Sequence, residues 1–488
     1  MQNRSKTICF LSISFLFALS FRLYSAYYYP VLNSDNAVTV LMIHYFDLPN
    51  DLYFWGQDRM GSLIPLLAQI PNKLLNASPL IAESLIHYLI LLAGFISFAY
   101  FIKSYFLKFV FAVIWFFPPF RLIDVTQFAF GIHYSLIAIS CLLYEILLKK
   151  KIRDDKFLNH LILILIVLTL IASIWVSDMA IVSVSLFLII HLYILFQKKE
   201  LRLSLFTRLE FFYFIFGLIF CILFIQFAKS SSSSRLNYVN FSSFQEIIIN
   251  LKIFFGSVLK IFLFQANEPF TSVYSYLSIL LFYSLYRIIK LHNLKLEKNW
   301  IFIFFVVDAL ILFCLILSSK WTFLNGVPRR YFTCSYISIS FSTILLLDLV
   351  LLNNKLKALI LFTVLIGGAG TIFNIKFVWP KTLRPRADIS REFEKLGEIG
   401  IISEYWNSYI ISCVNPSTLK ATPHDSTWAV RNYNIVDEVF KQENIYLIKD
   451  MWLANFPDTV REFGRTLVKE GDSTYVGECN ICKYNLIR

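Results

Sequence analysis

Apolar blocks of about twenty residues recur along the first 379 positions, and they are the dominant pattern in this chain. A block of that length as a helix crosses the roughly 30 Å of hydrocarbon in a bilayer. Eleven can be placed, at 8–29, 79–101, 106–121, 126–148, 157–175, 178–196, 209–228, 271–290, 300–319, 331–352 and 358–378. The apolar stretch 161–196 is too long for one crossing and is interrupted at Trp175-Val176-Ser177-Asp178, which predicts a hairpin turning there. Two connecting segments are too long to be simple turns, 30–78 and 229–270, and connections of that length are usually functional. The second opens on the serine run Ser230–Ser234 and continues into apolar Phe244–Gln265. That stretch carries Glu246, Lys252 and Lys260, so the expectation is a helix lying on the outer membrane surface rather than spanning it. No internal repeat is present.

Composition sharpens this division. Only 16% of the 488 residues are charged and 57% are hydrophobic, whereas a soluble domain carries about 25% charge. Residues 380–488 hold 29 charged residues in 109, against 48 in the first 379. The expected fold class is an all-α polytopic membrane protein of about eleven transmembrane helices over 1–379, followed by a soluble extracytoplasmic α/β domain over 380–488. The net charge of +13 resides in the membrane part, because the tail is near neutral. With the N-terminus on the cytoplasmic side, one set of loops gathers about 19 Lys and Arg in roughly 50 residues, and the other about 10 in roughly 115. This bias places the N-terminus inside and the tail outside, with the bacterial inner membrane as the expected location. Residues 1–26 resemble a signal peptide, but the run continues into Tyr27–Tyr29 without a small-x-small site, which favours an uncleaved first helix. No basic helix or stacking platform suggests nucleic acid, and the basic excess fits membrane lipids instead.

The cysteines divide in two. Cys9, Cys141, Cys221, Cys314 and Cys334 lie in or near spans and read as small apolar residues. Cys413, Cys479 and Cys482 lie in the tail, where Cys479-Asn480-Ile481-Cys482 has the spacing of a metal or redox pair without a second pair or a nearby histidine. A disulfide, for example to Cys413, is the favoured expectation.

The first long segment carries the most informative chemistry. Asp35 follows the first block by about five residues, and Ala37, Val38, Leu41 and Phe46 follow at roughly helical spacing. The pattern predicts a helix at the membrane surface with Asp35 in its first turn. There the carboxylate is either a cap for the helix amides or a base for an acceptor hydroxyl. Downstream come Tyr53-Phe54-Trp55-Gly56-Gln57-Asp58-Arg59 and the apolar run Leu63-Ile64-Pro65-Leu66. Near the tenth block stands Gly326-Val327-Pro328-Arg329-Arg330-Tyr331-Phe332, whose planar guanidinium groups suit phosphate oxygens or lipid headgroups. In the tail, Glu404-Tyr405-Trp406-Asn407-Ser408-Tyr409 offers aromatics that suit sugar stacking or packing.

These three motifs, in this order, resemble the GT-C glycosyltransferases. The branch resembled uses polyprenyl-phosphate sugars and includes protein O-mannosyltransferases and lipid A aminoarabinose transferases. In it the first outer loop begins Asp-Glu, and its Asp is the catalytic acidic residue. Asp35 matches the first position; Asn36 departs at the second, against any role for paired carboxylates or a metal. The resemblance implies Asp35 as the catalytic residue, and Arg329, Arg330 and Tyr331 at the lipid phosphate. The binding set also takes in Gln57, Arg59, Tyr405 and Trp406. His133 and Asp178 are weaker candidates, for which a packing histidine and a solvated turn residue are the favoured readings. Asp308, alone in mid-span, has no evident partner in the sequence, and Arg121 is a further outer-face arginine. The expected activity is transfer of a sugar from a lipid-linked donor to an unidentified glycan, lipid or protein acceptor. The sequence requires no cofactor and offers no support for a divalent cation. A polysaccharide polymerase or ligase, and more distantly a lipid-linked-sugar transporter, are the rival readings.

Overall fold

The computed structural model describes residues 2–149, 156–197, 209–232, 240–292, 299–350, 352–377, 382–427 and 429–487. Several of the basic loop residues used to orient the chain, at 150–153, 198–208 and 295–298, lie outside these, as does the expected domain boundary at 379–380.

Among the described residues, nine helices are long and apolar enough to cross a membrane, and two shorter apolar helices cover Tyr105–Phe116 and Ala180–Phe196. Together they coincide one for one with the eleven apolar blocks. The protein is an integral membrane protein. The long stretch 161–196 breaks as expected, into helices Lys156–Val176 and Ala180–Gln197, with Asp178 in the turn between them. The first helix ends at Tyr24, where Tyr28 and Tyr29 donate back to the Ser25 carbonyl and begin a turn.

The chain forms two compact units. One comprises Met1–Ser20, Leu89–Phe227 and Leu236–Asn374; the other comprises Phe21–Tyr88, Ala228–Arg235 and Ile375–Arg488. The tail therefore does not stand alone, because the first long connecting segment shares its core.

In the first unit, aromatic rings make much of the helix packing. Phe98 meets Phe341 at 4.5 Å and Phe305 at 5.5 Å between ring centroids. Gly94 lies so close to Ser135 that an added Cβ would fall 2.2 Å from its hydroxyl, so only glycine fits. The missing partner of Asp308 is a set of three. Its carboxylate accepts from Ser183 Oγ at 2.6 Å, and from Tyr134 Oη and Ser338 Oγ at 2.5 Å each. Four helices are pinned through one buried acid, which would otherwise be costly in apolar surroundings. Helix Phe244–Phe262 begins with a capping box, in which Ser243 and Glu246 each satisfy the other's backbone amide. Asn250 then ties it to the Leu317 carbonyl at 2.8 Å.

The second unit is built on a six-stranded sheet in the order β2-β1-β3-β6-β5-β4. The strands are β1 (Ile399–Ser403), β2 (Leu419–Pro423), β3 (Asn444–Lys449), β4 (Thr459–Glu462), β5 (Arg465–Val476) and β6 (Cys479–Leu486). β1 runs parallel to both β2 and β3, and β3–β6, β5–β6 and β4–β5 pair antiparallel. Parallel neighbours need crossover connections, supplied by helices Tyr405–Val414 and Tyr433–Lys441. One sheet face packs Ile399 and Ile401 with Val38, Leu41 and Trp55 of the first connecting segment, and the other packs Ile402 with Val439 and Phe440.

This arrangement overturns the expected disulfide. Cys413, Cys479 and Cys482 are buried free thiols. Side chains three apart on a strand point to opposite faces. Cys479 accordingly joins the core that holds Cys413, and Cys482 joins the one behind the sheet. The apparent motif is two core positions.

Candidate active site

Asp35 is positioned by a local cap. Asn33 is extended (φ −106°, ψ 168°), and its side-chain oxygen accepts from the Asn36 amide at 3.0 Å, which starts helix Ser34–His44. This puts Asp35 in the first turn, where the helix amides favour an anion. Helix Tyr405–Val414 starts immediately after β1, and the two helix starts meet. The Ser34 hydroxyl donates to the Tyr405 carbonyl at 2.6 Å, and the Tyr405 hydroxyl donates to Asp35 Oδ1 at 2.5 Å. Burial, reinforced by the charge of Asp35, holds the Tyr405 phenol far above its ordinary range, so it stays protonated and donates. Among the described residues, Asp35 Oδ2 accepts no hydrogen bond.

Arg431 completes this centre. Its guanidinium lies over the Tyr405 ring, 5.3 Å from the centroid, and its backbone amide donates to Tyr409 Oη at 2.7 Å. The same side chain runs beneath Gly56, where an added Cβ would sit 2.8 Å from Arg431 Nη1. Gly56 also has φ +74°, so the segment needs glycine on both counts. Around it the loop folds on itself. Phe54 donates to the Met60 carbonyl at 2.9 Å, Trp55 Nε1 to Asp51 Oδ1 at 2.7 Å, and Arg59 Nε to Gln57 Oε1 at 2.9 Å. Trp406 is 49% exposed, with its ring edge-on to Tyr405. Sequence reasoning missed Arg431; nothing in Val430-Arg431-Asn432 marks it.

The arginine motif forms a second centre, in the other unit. Arg329 opens a short 3-10 turn before helix Thr333–Asp348, and its Nη2 reaches both oxygens of Glu268 at 2.5 and 2.6 Å. Arg121 Nε approaches the same carboxylate at 3.8 Å. Glu268 is buried and was not singled out from the sequence, although Pro269 after it marks a helix start. All three contributing segments are bent into left-handed backbone: Arg121 (φ +71°), Phe264 (+57°), Asn267 (+54°), Gly326 (+70°) and Val327 (+56°). For a β-branched residue such as Val327 that conformation is a genuine outlier, and such strain gathers where a fold over-determines functional groups. Arg330 is exposed and lies over the Tyr331 ring, 5.5 Å from its centroid.

His133 and Asp178 fall elsewhere. His133 is fully buried and stacks on Tyr134 with centroids 4.5 Å apart. Asp178 is half-buried in its turn, with its carbonyl accepting from Ile181 at 3.2 Å. Among the described residues, no group of three or more His, Cys, Asp or Glu side chains is placed to hold a metal ion.

Neither a family model nor a curated protein sequence matches this chain. Solved structures do. The crystal structure of ArnT from Cupriavidus metallidurans in the apo state matches with a TM-score of 0.55 over 99% of this chain and 98% of that one. The chain has the ArnT fold. The same ArnT bound to undecaprenyl phosphate matches at 0.54, over 98% of this chain and 97% of that one. Identities of 8% and 9% mean that this likeness is one of backbone architecture. In this chain that fold is a helical membrane body followed by a C-terminal sheet domain, the architecture expected from the sequence.

Proposed function

We propose that this protein is a glycosyltransferase that moves a sugar from a polyprenyl-phosphate donor to an acceptor hydroxyl at the outer face of a bacterial inner membrane. The observation that carries this reading is the Asp35 carboxylate: one oxygen is fixed by Tyr405, and the other is unengaged among the described residues. A carboxylate presented in this way can accept a proton from a hydroxyl. The fold supports the donor class, since ArnT has been crystallised with undecaprenyl phosphate.

In this mechanism the free oxygen of Asp35 takes the acceptor's proton as the acceptor oxygen bonds to the anomeric carbon. The bond from that carbon to the phosphate oxygen breaks, and polyprenyl phosphate departs with the electron pair. Arg329, Arg330 and Arg121, with Glu268 holding Arg329 in place, are the charged groups that suit a lipid phosphate. Tyr405 orients Asp35, and Arg431 braces Tyr405. Gln57, Arg59 and Trp406 take sugar hydroxyls and faces. The loop charge bias supports a cytoplasmic N-terminus, hence an outward-facing reaction.

A transporter is the weaker reading, because the mid-span acid Asp308 is fully engaged by three hydroxyls. The test is a transfer assay in lipid nanodiscs, with a panel of undecaprenyl-phosphate sugars and envelope glycolipids as acceptors. Release of undecaprenyl phosphate coupled to glycosylated acceptor is expected. A protein that only moves the intact donor across the bilayer, with no bond cleaved, refutes the proposal; long polymeric product moves it to the polymerase class.

A further inference from the structure

The sheet of the second unit contains a feature that the transfer mechanism does not use. From β1 the chain crosses to β2 on one side, then returns to place β3 on the other side of β1. Connections leaving neighbouring strands in opposite directions open a crevice at the carboxyl ends, where open α/β sheets bind ligands. Here that position lies between the ends of β1 and β3. The first residue after each parallel strand is polar and titratable: Glu404 after β1, His424 after β2 and Asp450 after β3.

These groups are held together. Asp450 Oδ2 accepts from the Glu404 amide and from Asn407 Nδ2, both at 3.0 Å, and the His424 amide donates to the Ser403 carbonyl at 3.0 Å. The His424 and Trp452 rings stack nearly parallel, with centroids 4.8 Å apart and planes 8° from each other. Three polar atoms of this group have no partner among the described residues, although each is shielded from solvent: Asp450 Oδ1, His424 Nδ1 and Trp452 Nε1. Orphaned buried polar atoms are uncommon and call for a partner. The demand is mixed. Asp450 Oδ1 calls for a donor, Trp452 Nε1 for an acceptor, and a hydroxyl serves as both. Two carboxylates at the same opening repel phosphate and other anions.

We infer that the carboxyl end of β1 and β3 is a carbohydrate-binding crevice for a neutral glycan, with the Trp452–His424 stack as its platform and Asp450 and Asn407 as its hydroxyl partners. Helix Tyr405–Val414 begins at Glu404's neighbour, and Tyr405 holds Asp35. On the proposed transfer reading, the crevice would therefore grip the acceptor glycan beside the base. Binding itself does not require that reading.

The test uses the full-length protein in nanodiscs, without donor lipid, so that a chain that transfers nothing still reports on the crevice. Saturation-transfer NMR is run with methyl β-glucoside, methyl α-mannoside, N-acetylglucosamine, glucose 1-phosphate and inorganic phosphate. At least one neutral sugar is expected to bind in the millimolar range and the phosphates are not. Trp452→Ala and Asp450→Asn should each weaken binding about tenfold, the loss of about 1.4 kcal/mol. Trp452→Phe, which keeps a ring, should retain most of it, and this separates a lost platform from a lost fold. No neutral sugar binding at tens of millimolar, unchanged binding in Trp452→Ala, or effective competition by phosphate would each overturn the inference.

Discussion

Removing the Asp35 charge while keeping its shape separates catalysis from folding. In Asp35→Asn, one charge-assisted hydrogen bond from Tyr405, 2.5 Å long, becomes a neutral one. Bonds to charged groups contribute about 1.5–3 kcal/mol and neutral ones about 0.5–1.5, so the stability lost is about 1–2 kcal/mol. A fold held by about 5–15 kcal/mol survives that, with melting lowered by a few degrees. A lost general base instead costs about 10²–10⁴ in rate. Turnover should therefore fall at least about 100-fold in a nearly intact protein, read by single-turnover transfer in nanodiscs beside a thermal melt. The second arm is a double-mutant cycle. Tyr405→Phe alone should slow transfer about tenfold, by releasing the carboxylate from its one fixed orientation. Made on top of Asp35→Asn, the same change should cost less than about twofold, because no carboxylate remains to be held. Transfer within about threefold of wild type in Asp35→Asn, or strictly additive losses in the cycle, would refute the assignment.

The arginine centre makes a contrasting prediction. Arg329→Ala leaves the buried Glu268 carboxylate with Arg121 at 3.8 Å as its remaining partner among the described residues, so it should destabilise by about 3 kcal/mol as well as weaken undecaprenyl phosphate binding. Arg330→Ala, exposed and outside that pair, should weaken lipid phosphate binding with the melt unchanged, and intact affinity would return it to headgroup contact. A third prediction concerns Glu462, which is 3% exposed and pushed up to about 7, chiefly by burial. Its proton is bound more tightly in the folded state, so its contribution is complete below about pH 4.5 and lost as pH rises through about 7. The loss by pH 8 approaches about 3 kcal/mol, and Glu462→Gln, which mimics the protonated group, should melt higher than wild type at pH 8 but not at pH 5. Identical pH profiles for the two would contradict this.

What could be read in the sequence was set by whether a signal is local. Each apolar block announces its own helix, and the break at Ser177-Asp178 and the Asn33 cap before Asp35 are decided by adjacent residues. The contacts that make a site are not local. Tyr405 meets Asp35 across 370 positions, Arg329 meets Glu268 across 61, and Arg431 braces the first segment through Gly56. The cysteine pair misled for a related reason: its spacing suggests proximity, but on a strand that spacing places the two on opposite faces. The three hydroxyls around Asp308 are ordinary serines and a tyrosine in separate blocks, invisible until the helices are assembled.

The core that joins residues 26–80 to residues 387–481 also has a consequence for biogenesis. As the ribosome delivers this polypeptide, Ser34 and Asp35 emerge near the beginning, yet the tyrosine that holds them arrives some 370 residues later. On the proposed transfer reading, a half-made chain carries its carboxylate without the hydroxyl that orients it, so full competence arrives only with completion.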